Sequence, residues 1–319
     1  MTLPTATTPA RIMFTRPVQE CLRKVGGDIW SIGGKHHLIR RKCPGDRTWS
    51  DGGTSFYGIT ETPQTDQAQA STSQSDFPII YEVGKNSAHV IWKIGNAFLK
   101  LVIPHTPMAT REHNTLDFVK TLLPSSVVIP QVLCHGEWDG RYYILVTQVP
   151  GLTLHDAWPH MSPGLKNKCI RQVTEVCSQL AKNTGKRICG IDGGHLQEFF
   201  LLKGGYDFSP SMLESNSRDI GMDCTRLCLY HCDLTPGNVL VDLTTGTVGL
   251  IDWECAGFVP REWIRTKFCV CGAMDLETTT VDEEEKTDRK AWWSQMDASL
   301  EEAGFSTVAT AWMEWHTAN

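Results

Sequence analysis

The stretch HCDLTPGNVLVDLTTGTVGLIDWE, residues 231–254, decides how the chain is read. Two apolar runs, NVLVD and TVGLIDW, flank a Thr-Thr-Gly turn, which is the pattern of a hairpin of buried strands. His231, Asp233, Asn238 and Asp252 stand at the ends of those runs. An ionised carboxylate beside apolar surface is costly unless something holds it, so a positive partner is expected at this end of the hairpin.

The spacing is H-x-D-x-x-x-x-N, with a further aspartate fourteen residues beyond the asparagine. In phosphoryl-transfer sites of the protein-kinase type, the loop aspartate takes the proton of a substrate hydroxyl, while the asparagine and a later aspartate bind magnesium. Asp233 and Asn238 must share one loop if base and metal ligand are to face the same phosphate, and the hairpin returns Asp252 to that end. Hard oxygen ligands are what magnesium prefers.

Outward from this stretch, YEVGKNSAHVIWKIGNAFLKLVI predicts three strands, at about 81–83, 89–94 and 97–103, separated by Gly/Asn turns and forming a small antiparallel sheet. Lys100 lies mid-strand in AFLKLVI with apolar neighbours, where an unpaired ammonium is expensive. In TPMATREHNTLDFVKTLL, Thr106 reads as the N-cap and Pro107 as the first residue of a helix. That helix would put Glu112 on the inward face with Leu116, Val119 and Leu123. An inward lysine and an inward glutamate suggest each other, although an edge-strand lysine and a solvated glutamate explain them equally well when taken alone. VLCHGEW and RYYILVTQ flank Asp139–Gly140 as a hairpin, and Pro150–Gly151 marks a lobe boundary. Beyond it, Ser162 and Pro163 open a helix with apolar positions at Leu165, Ile170, Val173, Val176, Cys177 and Leu180. Late helices are expected at about 282–303 and over TVATAWMEW.

With these residues in view, the chain resembles the aminoglycoside phosphotransferase and choline kinase-like family over about residues 77–270. The resemblance is carried by GKNSAHVIWKIGNAFLK, TQVPGLTL, HCDLTPGNVLVD and GLIDWECAG. It implies an α+β, bilobal protein-kinase-like fold. Residues 77–149 would form the N-lobe, an antiparallel sheet with one helix, and residues 150–319 a larger, mostly helical C-lobe. Residues 1–76 would be an N-terminal extension and flexible linker, because 60–76 is Ser/Thr/Gln-rich and nearly free of apolar residues. The implied reaction is ATP- and Mg2+-dependent phosphorylation of a hydroxyl on a small molecule, a metabolite or an antibiotic-like compound. By resemblance, Asp233 is the base, Lys100 holds the nucleotide phosphates, Glu112 orients Lys100 and His231 braces the loop. Asn238 and Asp252 hold the magnesium, Ser87 sits near the phosphates, and Thr147, Gln148 and Val149 form the hinge for the adenine. Cys232 and Thr235 depart from relatives that commonly carry Gly and His there, and neither position supplies an essential oxygen. GKNSAH lacks the glycine repeat of a protein-kinase phosphate loop.

Composition narrows the alternatives. Residues 1–150 hold 15 Lys/Arg against 12 Asp/Glu, and residues 151–319 hold 15 against 24. No polybasic nucleic-acid footprint is present, and the acidic second half favours a cationic acceptor by steering. The start, MTLPTATTPARIMFTRP, has no apolar h-region, and no run is long enough to span a bilayer, so the 12 cysteines read as reduced thiols in a cytoplasmic protein, monomeric or weakly dimeric. The spacing of Cys224, Cys228, His231 and Cys232 is wrong for a zinc finger, and buried thiols are favoured. Trp292, Trp293, Trp312 and Trp315 recur at helical offsets and read as core packing. A protein kinase is disfavoured because ECAGFVPREW, with no A-P-E element, follows Asp252. A pseudokinase or nucleotide-binding module without turnover is the alternative.

Overall fold

The computed structural model describes residues 16–62, 73–84, 87–276 and 283–318. It is a mixed α+β protein whose chain divides into two compact units, Met1–Ile103 with Leu133–Thr147 and Pro104–Val132 with Gln148–Asn319.

The first unit contains the expected antiparallel sheet, enlarged to five strands in the order Val132–Trp138, Arg141–Thr147, Ala97–Val102, His89–Lys93 and Ile79–Val83. The Asp139–Gly140 turn has φ of 48° and 73°, the doubly positive geometry that a tight hairpin requires and that Asp-Gly tolerates. Residues 16–62, expected to be an extension, instead build a second sheet. Its order is Thr48–Ser50, Phe56–Glu61, His36–Arg41, Ile29–Ile32, Leu22–Gly26 and Ser73–Gln74. Of the expected linker, residues 63–72 lie outside the described residues.

The physical reason for that correction is a shared core. Trp30, Leu38, Trp49 and Tyr57 of the second sheet cluster with Val90, Trp92, Leu99, Leu101, Tyr143 and Leu145 of the first. A fully buried Leu or Val contributes about 1.5–3 kcal/mol, so neither sheet face would stay open to water. Trp49 Nε1 donates to Ile94 O at 2.7 Å, and Tyr143 Oη lies 2.9 Å from His36 Nδ1. Gly33, at φ +57°, has to be glycine, because a Cβ there would stand 2.4 Å from the Tyr143 ring.

The second unit holds two four-stranded sheets and the helices. One sheet runs Val127–Val128, Val248–Leu250, Val239–Val241 and Leu152–Thr153; the other runs Thr184–Gly185, Leu227–Tyr230, Gly257–Pro260 and Cys189–Gly190. The helix Pro163–Leu180 starts where Ser162 Oγ accepts Leu165 N, as its sequence predicts. The late helices are Glu283–Glu302 and Ala309–Thr317. Trp292 is buried against Trp158, while Trp293 is 36% exposed, so the tryptophan stripe is only partly core.

Two further expectations are corrected. The helix after the sheet begins at Glu112, not at Thr106, and runs Glu112–Val119. Ala109 bridges to His195, where Met108 O accepts His195 N and Thr110 N donates to His195 O, which takes these backbone groups out of any helical ladder. This helix also belongs to the second unit rather than to the unit of the antiparallel sheet. No helix among the described residues is long and apolar enough to cross a membrane.

Candidate active site

The buried strand Leu227–Tyr230 delivers its chain directly into His231, which is itself fully buried. The imidazole bridges the two halves of the motif: Nδ1 accepts Asp233 N at 3.2 Å, and Nε2 lies 3.0 Å from Ile251 O, which assigns the Nε2–H tautomer. Its ring also packs 4.4 Å from the Trp253 ring. His231 thus joins the loop of Asp233 to the residue before Asp252.

Asn238 closes the loop from the other end. Its Nδ2 donates to Asp233 Oδ2 at 2.7 Å and to Asp233 O at 2.9 Å. Asn238 O in turn accepts Ile251 N at 3.0 Å, which continues the ladder of Val239–Val241 against Val248–Leu250. Asp252 then leaves the strand in the left-handed conformation, φ 65° and ψ 61°. The following amide, Trp253 N, donates to Glu112 Oε1 at 3.1 Å. Ile251 and Trp253, on either side of Asp252, are therefore both held by hydrogen bonds.

Cys232 also adopts a left-handed conformation, at φ 64°, a backbone geometry that favours glycine. Its side chain is buried, its thiol lies 3.7 Å from Tyr230 O, and burial holds its pKa well above the usual thiol value. All 12 cysteines are free, and Cys228 and Cys232 are buried.

The Asp233 carboxyl is pushed up to about 6, first by burial and then by the charge of Asp252. Lys267 and the Asn238 hydrogen bond act in the opposite direction, and Glu198 adds to the rise. The negative charge of Asp252 felt at Asp233 is of the kind a divalent cation offsets. Because the Asn238 amide nitrogen is committed to Asp233, its carbonyl Oδ1 is the atom left to ligate, a hard oxygen matching that of Asp252. Two hard oxygens of this kind are the donor type that magnesium takes. Among the described residues no group of three or more His, Cys, Asp or Glu is arranged to hold a metal.

The remaining expected residues divide between the units. Lys100 and Thr147 lie in the first unit, whereas Glu112, Gln148 and Val149 lie in the second with the loop residues. Lys100 is 7% exposed at the centre of its sheet, in register with Ile91 on one side and Ile144 on the other. Paired residues share a face, and Tyr81 pairs with Ile91, so Tyr81, Ile91, Lys100 and Ile144 form one row. That face is opposite to the one buried against the N-terminal sheet. Phe98, two residues before Lys100, is part of it; strand alternation carries that information, but attention to the lysine alone passes over it. Ser87, at φ 52°, donates its hydroxyl to Glu82 Oε1 at 2.5 Å; Lys85 and Asn86 of the same turn lie outside the described residues.

Glu198 and Lys267 were also missed. Glu198 is 1% exposed, and it accepts Lys267 Nζ at 2.6 Å, Trp263 Nε1 at 3.1 Å and Phe200 N at 3.1 Å. The pair is legible only in three dimensions, since 69 residues separate its members.

Among solved structures, the chain is similar to aminoglycoside phosphotransferase APH(3'')-Id from Streptomyces rimosus, at 13% identity over 75% of this chain and 91% of that one, with a TM-score of 0.48. It is also similar to APH(2")-IIa in complex with gentamicin, at 13% identity over 73% and 79%, TM-score 0.46. A third is a thermostable mutant of APH(4)-Ia bound to AMP-PNP and hygromycin B, at 16% identity over 76% and 92%, TM-score 0.41. None of the curated proteins compared matches the chain. Residues 223–263, which contain the bridged loop and Asp252, match the family model described as the phosphotransferase enzyme family, APH, and over that stretch the resemblance read from the motif holds.

Proposed function

We propose that the chain is an ATP- and magnesium-dependent small-molecule kinase with a bilobal, protein-kinase-like fold, which phosphorylates a hydroxyl of a metabolite or antibiotic-like acceptor. The observation that carries this reading is the closed loop of Asp233, Asn238 and His231 tied to both sides of Asp252. In the proposed reaction, Asp233 Oδ2, oriented by Asn238 Nδ2, receives the proton of the acceptor hydroxyl. Asn238 Oδ1 and Asp252 would hold the magnesium, which would supply neutralisation of charge on the transferring phosphoryl group. Lys100 and Ser87 serve the nucleotide phosphates, with Glu112 orienting Lys100. Thr147, Gln148 and Val149 form the adenine hinge, and Phe98 offers an aromatic surface on the face of Lys100.

The test is phosphoryl transfer from Mg-ATP to a metabolite mixture, followed by mass spectrometry for a phosphate-sized gain. The panel includes streptomycin, gentamicin and hygromycin B, the compounds held in complexes of the similar phosphotransferases. Asp233→Asn is expected to lower turnover by about 10²–10⁴-fold while leaving the Mg-ATP thermal shift in place. An Asp233→Asn variant as fast as the parent removes Asp233 from the role of base. Stabilisation by Mg-ATP without transfer to any hydroxyl would favour a nucleotide-binding module instead.

A further inference from the structure

The second unit displays an aromatic surface that the proposed chemistry does not use. His105, Phe199, Tyr206 and Phe208 form a mutual cluster. The His105 ring lies parallel to Tyr206 (5.9 Å, 4°) and edge-on to Phe199 (4.9 Å, 83°), and Phe199 meets Phe208 at 4.9 Å. Phe208 is fully buried and forms the floor, whereas Tyr206 is 69% and Phe199 42% exposed. Large aromatic side chains held rigidly against one another yet open to water mark a binding surface more often than a packing accident.

Two tethers tie this surface to the candidate active site. The first is Glu198, the residue before Phe199: it is buried on Lys267 and Trp263, and its charge is felt at Asp233. The chain reaches Glu198 from the strand Cys189–Gly190, and in that sheet Gly190 and Tyr230 pair with the two sides of Gly257. Gly190, upstream of the aromatic segment, and Tyr230, which enters the His231 loop, are thus two strand spacings apart, roughly 10 Å. The second tether runs through His105, whose backbone N donates to Gln197 Oε1. From there the chain leads through the Met108–His195 and Thr110–His195 bonds to Glu112, which holds the amide after Asp252.

The charge around the rings selects among ligands. Asp207, between Tyr206 and Phe208, accepts Ser209 N at 3.0 Å, and that bond holds its carboxyl below the usual aspartate value. Burial lowers the pKa of His105, which favours a neutral ring. Lys203 is directed away, with its Nζ bonded to Ala318 O and set over the Trp315 ring. Open π-faces attract an organic cation and its apolar body.

We propose that the His105–Phe199–Tyr206 cluster is the acceptor subsite and takes a hydroxyl compound that carries both a planar apolar ring and an amine. The inference rests on the phosphotransferase reading for the word acceptor, and on the ring geometry for the class of ligand.

The experiment is an NMR titration of the full chain, without nucleotide, with L-phenylalaninol and with L-alaninol, which has the same amine and hydroxyl but no ring. Phenylalaninol is expected to bind more tightly than alaninol. Tyr206→Ala should weaken phenylalaninol binding about three- to ten-fold, with Tyr206→Phe close to the parent. Tyr206 is exposed, so both variants should keep the fold, which a thermal melt checks. Equal affinity for the two probes, no binding of either, or a Tyr206→Ala variant that binds phenylalaninol like the parent overturns the subsite. Phosphorus NMR with Mg-ATP separates the two readings. Tyr206-dependent binding with no phosphate reaching any hydroxyl sinks the phosphotransferase reading and leaves an amine-binding site. Transfer to another acceptor at a rate and KM unchanged by Tyr206→Ala sinks the subsite alone.

Discussion

Glu112 Oε1 accepts the backbone amide of Trp253 at 3.1 Å, a bond between residues 141 positions apart. Glu112 opens the helix Glu112–Val119, and Trp253 follows Asp252, which has a left-handed backbone. Ile251, on the other side of Asp252, is held at its N by Asn238 O and at its O by His231 Nε2. Glu112 therefore has a task inside its own unit, besides the orientation of Lys100 proposed for it.

That task predicts different outcomes for two substitutions. Glu112→Gln keeps an oxygen acceptor for Trp253 N and should lie within about 1 kcal/mol of the parent in urea unfolding. Glu112→Ala leaves a buried N–H unpaired and should cost about 1–3 kcal/mol. Equal stability of the two variants would remove the bond from the account.

His231 supports a second prediction, because its ring contact with Trp253 and its two polar contacts can be separated. His231→Phe retains an aromatic ring but leaves Asp233 N and Ile251 O without their partner, at about 1–3 kcal/mol for each stranded group. Amide exchange at Asp233 should accelerate in the variant well beyond the change at Val239–Val241, whose ladder does not involve the imidazole. Uniform acceleration across both segments would mean that the histidine only fills space.

The loop was legible because its chemistry is compressed into a short run: His231, Asp233, Asn238 and Asp252 are joined by a single hairpin, and local spacing dictates their meeting. The Asp139–Gly140 turn and the Ser162 cap were legible for the same reason, since each depends on a few adjacent residues. The N-terminal sheet was not. Its glycine pairs, Gly26–Gly27 and Gly33–Gly34, have positive φ. The strands from Ile29 to Glu61 are three to six residues long and mix apolar with polar or basic residues, so their alternation is blurred. What makes them strands is the apolar face of the neighbouring sheet, a tertiary fact. The start of the helix at Glu112 was missed on similar grounds: Thr106–Pro107 is a sound local start signal, overridden by backbone bonds to His195.

The Glu198–Lys267 pair leads to a third prediction. Burial pulls the lysine pKa down, but the charge and hydrogen bond of Glu198 outweigh it and the net shift is upward from 10.5. A raised lysine stabilises fully below its unfolded value and loses that contribution only as pH rises through the folded one, so the pair should hold throughout neutral pH. Lys267→Met strands a buried carboxylate and should cost about 3–5 kcal/mol, whereas Lys267→Met with Glu198→Gln should recover much of that loss. Denaturant melts of the single and double variants measure the difference, and a double variant no more stable than the single would contradict the pairing.

The last prediction concerns acid. Arg265 binds Asp297 through two bonds, Nε to Oδ1 at 2.7 Å and Nη2 to Oδ2 at 3.1 Å, and these join the helix Trp263–Val270 to the helix Glu283–Glu302. The guanidinium, with the Cys269 thiol also donating to Oδ1, holds the Asp297 carboxyl below its ordinary 3.8. A carboxylate whose folded pKa is depressed contributes stability that is complete above the unfolded value and disappears as pH falls through the folded one. The pair is partly open to water, so Asp297→Asn should cost no more than about 1 kcal/mol at neutral pH. The gap between parent and variant should stay constant while pH remains above 3.8 and close below it. Thermal melts of both proteins from neutral to acid pH test this, and a gap that persists undiminished in acid would assign the loss to packing of the Asp297 side chain, not to its charge.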